Sequence, residues 1–255
     1  MLDKSSYSIS LGNTHQDGII SSTGMDRYNV KVSADTKLTN NWSSGFTANY
    51  ITTSIDKAVT SGNGLLRTVY AAPPSYDLAG IPSHVDGNPY TQNSFRGSFD
   101  NAYWAMENNK FTEDTNRFFG NVYASYQTDF GTTNHKLNAK YMVGVDAYTT
   151  HYVDSYGYGS NTGGGRGQIE NYGWTNATYN SLLTINYDWH INEDWGLNAV
   201  VGNEIIQSNR KKYYEYGTNY NFPGWNHINN ATTQQAEEET WKNRTVGFFG
   251  NVSAS

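Results

Sequence analysis

The sequence predicts an all-β protein: an antiparallel transmembrane β-barrel segment of about eight strands, with short periplasmic turns and long extracellular loops. Three observations carry this. Apolar and polar residues alternate with a period of two, connections alternate between tight turns and long loops, and aromatic residues gather at strand ends.

The composition fits a wall that is apolar on one side and wet on the other. Of 255 residues only 16% are charged, against roughly 25% in an average soluble domain. Aromatic residues make up 15%, with 21 tyrosines and 7 tryptophans. Mean hydropathy is -0.70, so Asn, Thr, Ser and Gly replace the missing charges where aliphatic residues do not. A barrel wall needs that mixture, with apolar groups toward lipid and small polar groups toward a wet lumen.

In the first strand Tyr7, Ile9 and Leu11 alternate with serines. Tyr28, Val30, Val32 and Ala34 mark the second, and Trp42, Phe46, Ala48 and Tyr50 the third. The fourth carries Asn116-Arg117-Phe118-Phe119-Gly120-Asn121-Val122, and the last carries its echo, Phe248-Phe249-Gly250-Asn251-Val252 preceded by Asn243-Arg244. The two copies are expected at equivalent positions in successive hairpins. Leu137, Ala139, Tyr141, Val143 and Val145 define the fifth strand; Leu183, Ile185, Tyr187 and Trp189 the sixth; Trp195, Leu197, Ala199 and Val201 the seventh. Each is expected to be near the 9–11 residues that cross a bilayer at a tilt.

Tight turns fall at Thr39 to Asn41, Phe130 to Asn134 and Ile191 to Asp194. Long connections run from His15 to Met25, Asp56 to Asp114, Thr149 to Gly173 and Ser208 to Lys242. A two-layer sandwich shows the same residue alternation, but strict short/long alternation of connections marks an outer-membrane barrel. Trp42, Phe130, Trp189 and Trp195 sit at the tight-turn ends, and Tyr50, Tyr126 and Tyr148 are placed toward the long-loop ends, as two interfacial girdles.

Several classes are excluded or disfavoured. Without cysteine there are no disulfides, thiolate nucleophiles or Cys-ligated metals. A net charge of -6 with no basic run argues against nucleic acid. No apolar segment is long enough for a transmembrane helix. The six histidines lack metal-ligand spacing, so no metal or cofactor is expected. Gly163-Gly164-Gly165-Arg166-Gly167 lacks the strand, helix and Gly-Lys-Ser/Thr of a phosphate cradle and is expected to be a flexible loop. The acidic clusters Glu237-Glu238-Glu239 and Glu113-Asp114 are expected to be solvated. No nucleophile elbow or acid/base pair emerges, so the chain is not expected to be an enzyme.

Recognition capacity lies in the long loops. Leu65 to Ala72, followed by Pro73-Pro74, predicts a short helix stopped by proline. The candidate substrate contacts are Tyr90, Tyr103, Trp104, Trp174 and Trp225. Rings beside amide side chains suit sugars or peptides, because rings stack on apolar faces while amides bond polar edges. The competing reading is that these rings pack the loops into an ordered rim.

Ordered along the chain, several elements resemble the SusC/RagA-type, TonB-dependent outer-membrane transporters of Bacteroidetes. They are Tyr7-Ser8-Ile9-Ser10-Leu11-Gly12, Gln16-Asp17-Gly18-Ile19-Ile20, Asp26-Arg27-Tyr28-Asn29-Val30, Gly87-Asn88-Pro89-Tyr90, Asn116 to Asn121, Asn221-Phe222-Pro223 and Arg244 to Gly250. The resemblance implies a large plugged barrel in the Gram-negative outer membrane, of the 22-stranded class, with residues 1–255 a part of it. It further implies uptake of oligosaccharides or peptides, energy supplied by the TonB complex through an N-terminal region, and a SusD-like surface lipoprotein as partner. Met1-Leu2-Asp3-Lys4 does not open a signal peptide and Ser255 falls inside a strand, so the plug and further strands are expected beyond this stretch. Two readings of other classes compete: a small outer-membrane adhesin-type barrel, and a secreted β-sandwich that binds carbohydrate.

Overall fold

The computed structural model describes residues 5–59, 65–131 and 134–254. Met1–Lys4, part of the turn after Phe130 and Ser255 lie outside the described residues, as do the expectations placed on them. Three strands come first, β1 (Ser5–Asp17), β2 (Gly24–Lys37) and β3 (Trp42–Lys57). A long connection then holds α1 (Leu65–Ala71), the short pair β4 (His84–Val85) and β5 (Asn88–Gln92), and α2 (Ala102–Asn108). Five strands follow: β6 (Lys110–Thr128), β7 (His135–Tyr156), β8 (Gln168–His190), β9 (Gly196–Tyr220) and β10 (Ala231–Ala254). The eight long strands form one antiparallel sheet in chain order, β1-β2-β3-β6-β7-β8-β9-β10. The predicted fold class holds.

At each tight turn a side-chain oxygen accepts from nearby backbone amides among the described residues, as short polar side chains do in turns. Thr39 Oγ1 accepts from the Asn41 and Trp42 amides, Asn192 Oδ1 from the Asp194 and Trp195 amides, and Asp129 Oδ1 from Gly131. These turns fix the register, and the register decides which side chains share a face.

Following partners across the sheet, Tyr7, Ala34, Phe46, Val122, Val143, Ser181, Ile205 and Val246 fall in one row. The next row toward the tight turns holds Ser44, Ala124, Tyr141, Leu183, Asn203 and Phe248. All of these lie on one face. Tyr7, Leu11 and Phe248 are 84%, 75% and 81% exposed, so the apolar rows meet no second layer. The opposite face carries Ser8, Ser33, Thr47, Asn121, Gly144 and Asn180 in one row.

The apolar band does not run parallel to the rows. The row of Ile9 reaches Arg244, whereas the apolar run of β10 centres between Phe248 and Gly250. That drift of about five residues, roughly 17 Å over roughly 34 Å of sheet width, is a slant near 25–30°. Hydrogen-bonded rows lie perpendicular to strands, so a level hydrocarbon band requires strands tilted by about that angle, somewhat below the 35–45° usual in barrels.

Two features differ from the sequence expectation. The eight long strands run 13 to 25 residues, the last four of them about twice a bilayer crossing, so most of the loops expected at Thr149 to Gly173 and Ser208 to Lys242 are strand. The first connection shrinks to 18–23. The girdle also differs in detail: Tyr126 sits at the tight-turn end, its ring 5.0 Å from Trp42, and Tyr148 faces the polar side opposite Arg117. The echo keeps its faces, Phe118 and Phe248 apolar-side, Asn121 and Asn251 polar-side, but β6 and β10 open alternate hairpins, with β8–β9 between them.

Gly45 shows how the polar face is knitted. A Cβ there would meet Tyr123 and Asp35 at 2.7 and 2.2 Å. Its absence lets the Tyr123 hydroxyl cross β3 and donate to Asp35 on β2 at 2.7 Å.

Because Val143 lies in the middle of the apolar band, Val143→Arg is expected to cost roughly 2–4 kcal/mol in a bilayer. Thr184→Arg on the wet face should cost far less; urea unfolding of vesicle-inserted protein reads both.

Candidate functional site

Above the apolar band the strands continue, and rings and charges gather on the polar face there. Register alone places Glu113, Tyr152, Tyr172, Tyr214 and Glu237 in one row across five strands. Tyr152 and Tyr172 stack at 4.8 Å with 6° between planes, and Trp174 and Tyr214 flank them at 5.6 and 6.5 Å. Lys57 Nζ lies 4.5 Å above the Tyr152 ring and 3.6 Å from Glu113. The Arg210 guanidinium sits between two indoles, 5.3 Å from Trp174 and 5.8 Å from Trp241.

Burial pushes the Tyr172 hydroxyl well above the ordinary phenol range, the Asp154 carboxylate that accepts its proton at 3.1 Å adding to it. Burial does the same to Tyr214, with Glu170 adding to it. The ladder therefore stays un-ionised through the physiological range and presents ring faces beside fixed carboxylates and cations. Such a surface can stack on and hydrogen-bond a polar oligomer. Among the described residues no group of three or more metal-ligating side chains gathers.

Over the ladder the long connections interlock. Asp100 is the hub: its carboxylate accepts from Ser160 Oγ at 2.6 Å, the Asn161 amide at 2.7 Å and Gln92 Nε2 at 2.8 Å. Asn101 caps α2 through the Tyr103 and Trp104 amides. Trp104 is 0% exposed, its indole donating to the Pro89 carbonyl at 2.8 Å. Asn226 reaches the Asn108 carbonyl at 3.0 Å, joining the last loop to the connection between β3 and β6. The glycine run is an ordered turn: Gly163, Gly164, Gly165 and Gly167 all have left-handed φ, and the Arg166 carbonyl accepts from the Tyr220 amide at 2.8 Å. At Gly167 a Cβ would also meet the Tyr220 ring at 2.3 Å. Ile169, Tyr220 and Ala231 form a small core beneath it, and burial pushes the Tyr220 hydroxyl up to about 12, a Ser155 contact opposing it.

The five sequence candidates scatter over this cap. Tyr103 and Trp225 present half-exposed rings, and Trp225 stacks between Phe222 and His227 at 5.8 and 5.1 Å. The Tyr90 hydroxyl lies against Gly224. Trp104 is buried as packing. Trp174 belongs to β8, not to a loop, and joins the ladder. Sequence reading missed Tyr152, Tyr172, Arg210, Tyr214 and Trp241, because their segments were read as loops. The segment has an alternation of its own, Glu170, Tyr172 and Trp174 against Asn171, Gly173 and Thr175, but with the large side chains on the parity opposite to that of Leu183, Ile185 and Tyr187.

A cleft of about 550 Å³ opens between the first connection, the end of β3 and α2, lined by His15, Asp17, Asp26, Asp56, Glu107 and Lys110 among others. The hydrogen bond that Asp26 accepts from the ring raises the His15 pKa above 6.5, its charge and that of Asp17 adding to it.

No protein-family model matches the chain, and no curated protein matches it. Among solved structures it is similar to the RagAB peptide importer in its open-open state, with a TM-score of 0.77 and 15% identity over 99% of this chain and 28% of that one. The RagAB peptide transporter gives 0.76 and 13% over 98% and 28%. The closed-closed state of the importer gives 0.74 and 15% over 98% and 28%. At such identity the likeness is one of fold: the chain has the fold of part of a transporter chain and spans about 28% of its length.

Two outcomes follow from the cap and the rim. Gly167→Ala should loosen the glycine turn by more than about 1 kcal/mol, read as faster proteolysis within residues 157–167. The His15 ring should titrate above 6.5 by NMR, and Asp26→Asn should bring it down. Because the folded pKa is raised, any stability from this contact is present below pH 6.5 and lost as pH rises through the folded value.

Proposed function

We propose that this chain is part of the wall of a plugged, TonB-dependent barrel in the Gram-negative outer membrane that takes up nutrient oligomers, oligosaccharides or peptides. A SusD-like surface lipoprotein and the TonB complex are its partners in this reading, and it works by binding and gated passage, with no covalent step. The observation that carries it is the one-sided apolar band, continuous through the register of eight strands, with a ladder of rings and charges on the opposite face directly above. The fold shared with the RagAB importer supports transport, and the ordered cap of loops over the ladder supports recognition at the outer mouth.

The competing readings find less support. A β-sandwich needs its apolar rows to meet in a dry interior, and here they are exposed. A closed eight-stranded adhesin needs β1 against β10, and these are the two ends of the sheet.

The native protein is expected in detergent-extracted membranes at a mass above the 28.5 kDa of this chain. A water-soluble protein of that mass would falsify the proposal. Trp174→Ala should weaken binding of the oligomer roughly tenfold, about 1–1.5 kcal/mol, by calorimetry. Trp42→Ala, on the opposite face, should leave it unchanged.

A further inference from the structure

The echo between β6 and β10 breaks at its arginine. In β6 Arg117 immediately precedes Phe118 and lies on the wet face, bonded to Asp146 at 2.6 and 2.8 Å. In β10 three more residues, Thr245, Val246 and Gly247, separate Arg244 from Phe248, and an odd change reverses the face. Arg244 therefore points to the apolar side, in the first such position above Val246, in the row of Tyr179 and Gln207. Lys242, opposite Asn209, is the next such position.

Within this sheet, among the described residues, no carboxylate lies within ion-pair distance of Lys242 or Arg244, while the nearby Lys211 is taken by Glu238 at 2.7 Å. Both are exposed. The Arg244 Nε donates to Gln207 Oε1 at 3.0 Å, which aims the guanidinium along the sheet surface. The opposite flank of the same rim carries two carboxylates in one row, Asp26, bonded to His15 at 2.7 Å, and Asp114. The tight-turn end of the apolar face carries Trp42, Tyr126 and Trp189 in place of cations.

We propose that Lys242 and Arg244, with Gln207 and Tyr179 beside them, form a site for the phosphate groups of outer-leaflet lipid. The inference rests on the membrane-wall reading above. A guanidinium and an ammonium held at the upper edge of hydrocarbon meet headgroups, not bulk water, and guanidinium matches phosphate in bidentate geometry. Both side chains are long enough to bring their charges to a headgroup at that edge. The acidic flank would repel the same headgroups, so lipid is bound on one side of the wall.

The test uses the native protein carrying this chain, reconstituted into phosphatidylcholine nanodiscs doped with bisphosphorylated lipid A or its dephosphorylated form. Native mass spectrometry reads the glycolipid retained. Lys242→Gln and Arg244→Gln should each lose about fivefold in retention of the phosphorylated form, with Arg244→Lys retaining most of it. The wet-face control Lys37→Gln should match the parent. Equal retention by the parent and the double variant, equal retention of both glycolipids, or the same loss in Lys37→Gln would overturn the site. Failure to enter any bilayer would overturn the wall reading itself.

Discussion

In the proposed membrane wall, backbone amides and carbonyls in hydrocarbon have no water to bond, so each must find its partner within the sheet. Everything else here depends on that constraint. It forces long, unbroken ladders, and the ladders leave side chains only two directions to point. Three turn oxygens, on Thr39, Asp129 and Asn192, set the pairing, and eight strands then agree on which side is apolar. No single strand is apolar enough to be persuasive alone; their coincidence in rows gives the band its meaning.

The strands do not stop where the band stops. Extending β7 through β10 upward keeps backbone groups paired in an aqueous region where loops would also have been tolerated. The gain is placement: a ring on a strand is held at a fixed height and spacing, whereas a ring on a loop must be held by other contacts. Tyr152 and Tyr172 achieve near-parallel stacking through register alone. Trp104, in a loop, needs an asparagine cap and a carbonyl partner and ends up wholly interior.

Much of the fold was legible. Alternation in Tyr28 to Ala34 or Leu137 to Val145 is a direct imprint of a two-faced strand, and Thr39 to Asn41 reads as a turn from its own chemistry. Face assignment for single rings was harder. Tyr148 and Tyr126 were misplaced because the residue type favours both an interface and a wet aromatic cluster. The ladder was hidden for a physical reason: above the apolar band both faces carry polar groups, so the contrast that reveals a strand fades while the strand persists. Lys211-Lys212-Tyr213-Tyr214 looks like a loop until its neighbours are known.

The arginine that changes sides between β6 and β10 has a broader consequence for how such a wall can vary. Length is a conserved quantity modulo two: adding one residue within a ladder inverts everything beyond it, exchanging solvent for lipid along the rest of the strand. Changes in pairs pass silently, and changes in the connections are free. The three residues at Thr245, Val246 and Gly247 sit between arginine and the Phe-Phe-Gly-Asn-Val segment, so they reorient one charge and leave the apolar row below it intact. A strand of this kind can thus gain a new outward-facing group without redesigning its inward-facing one.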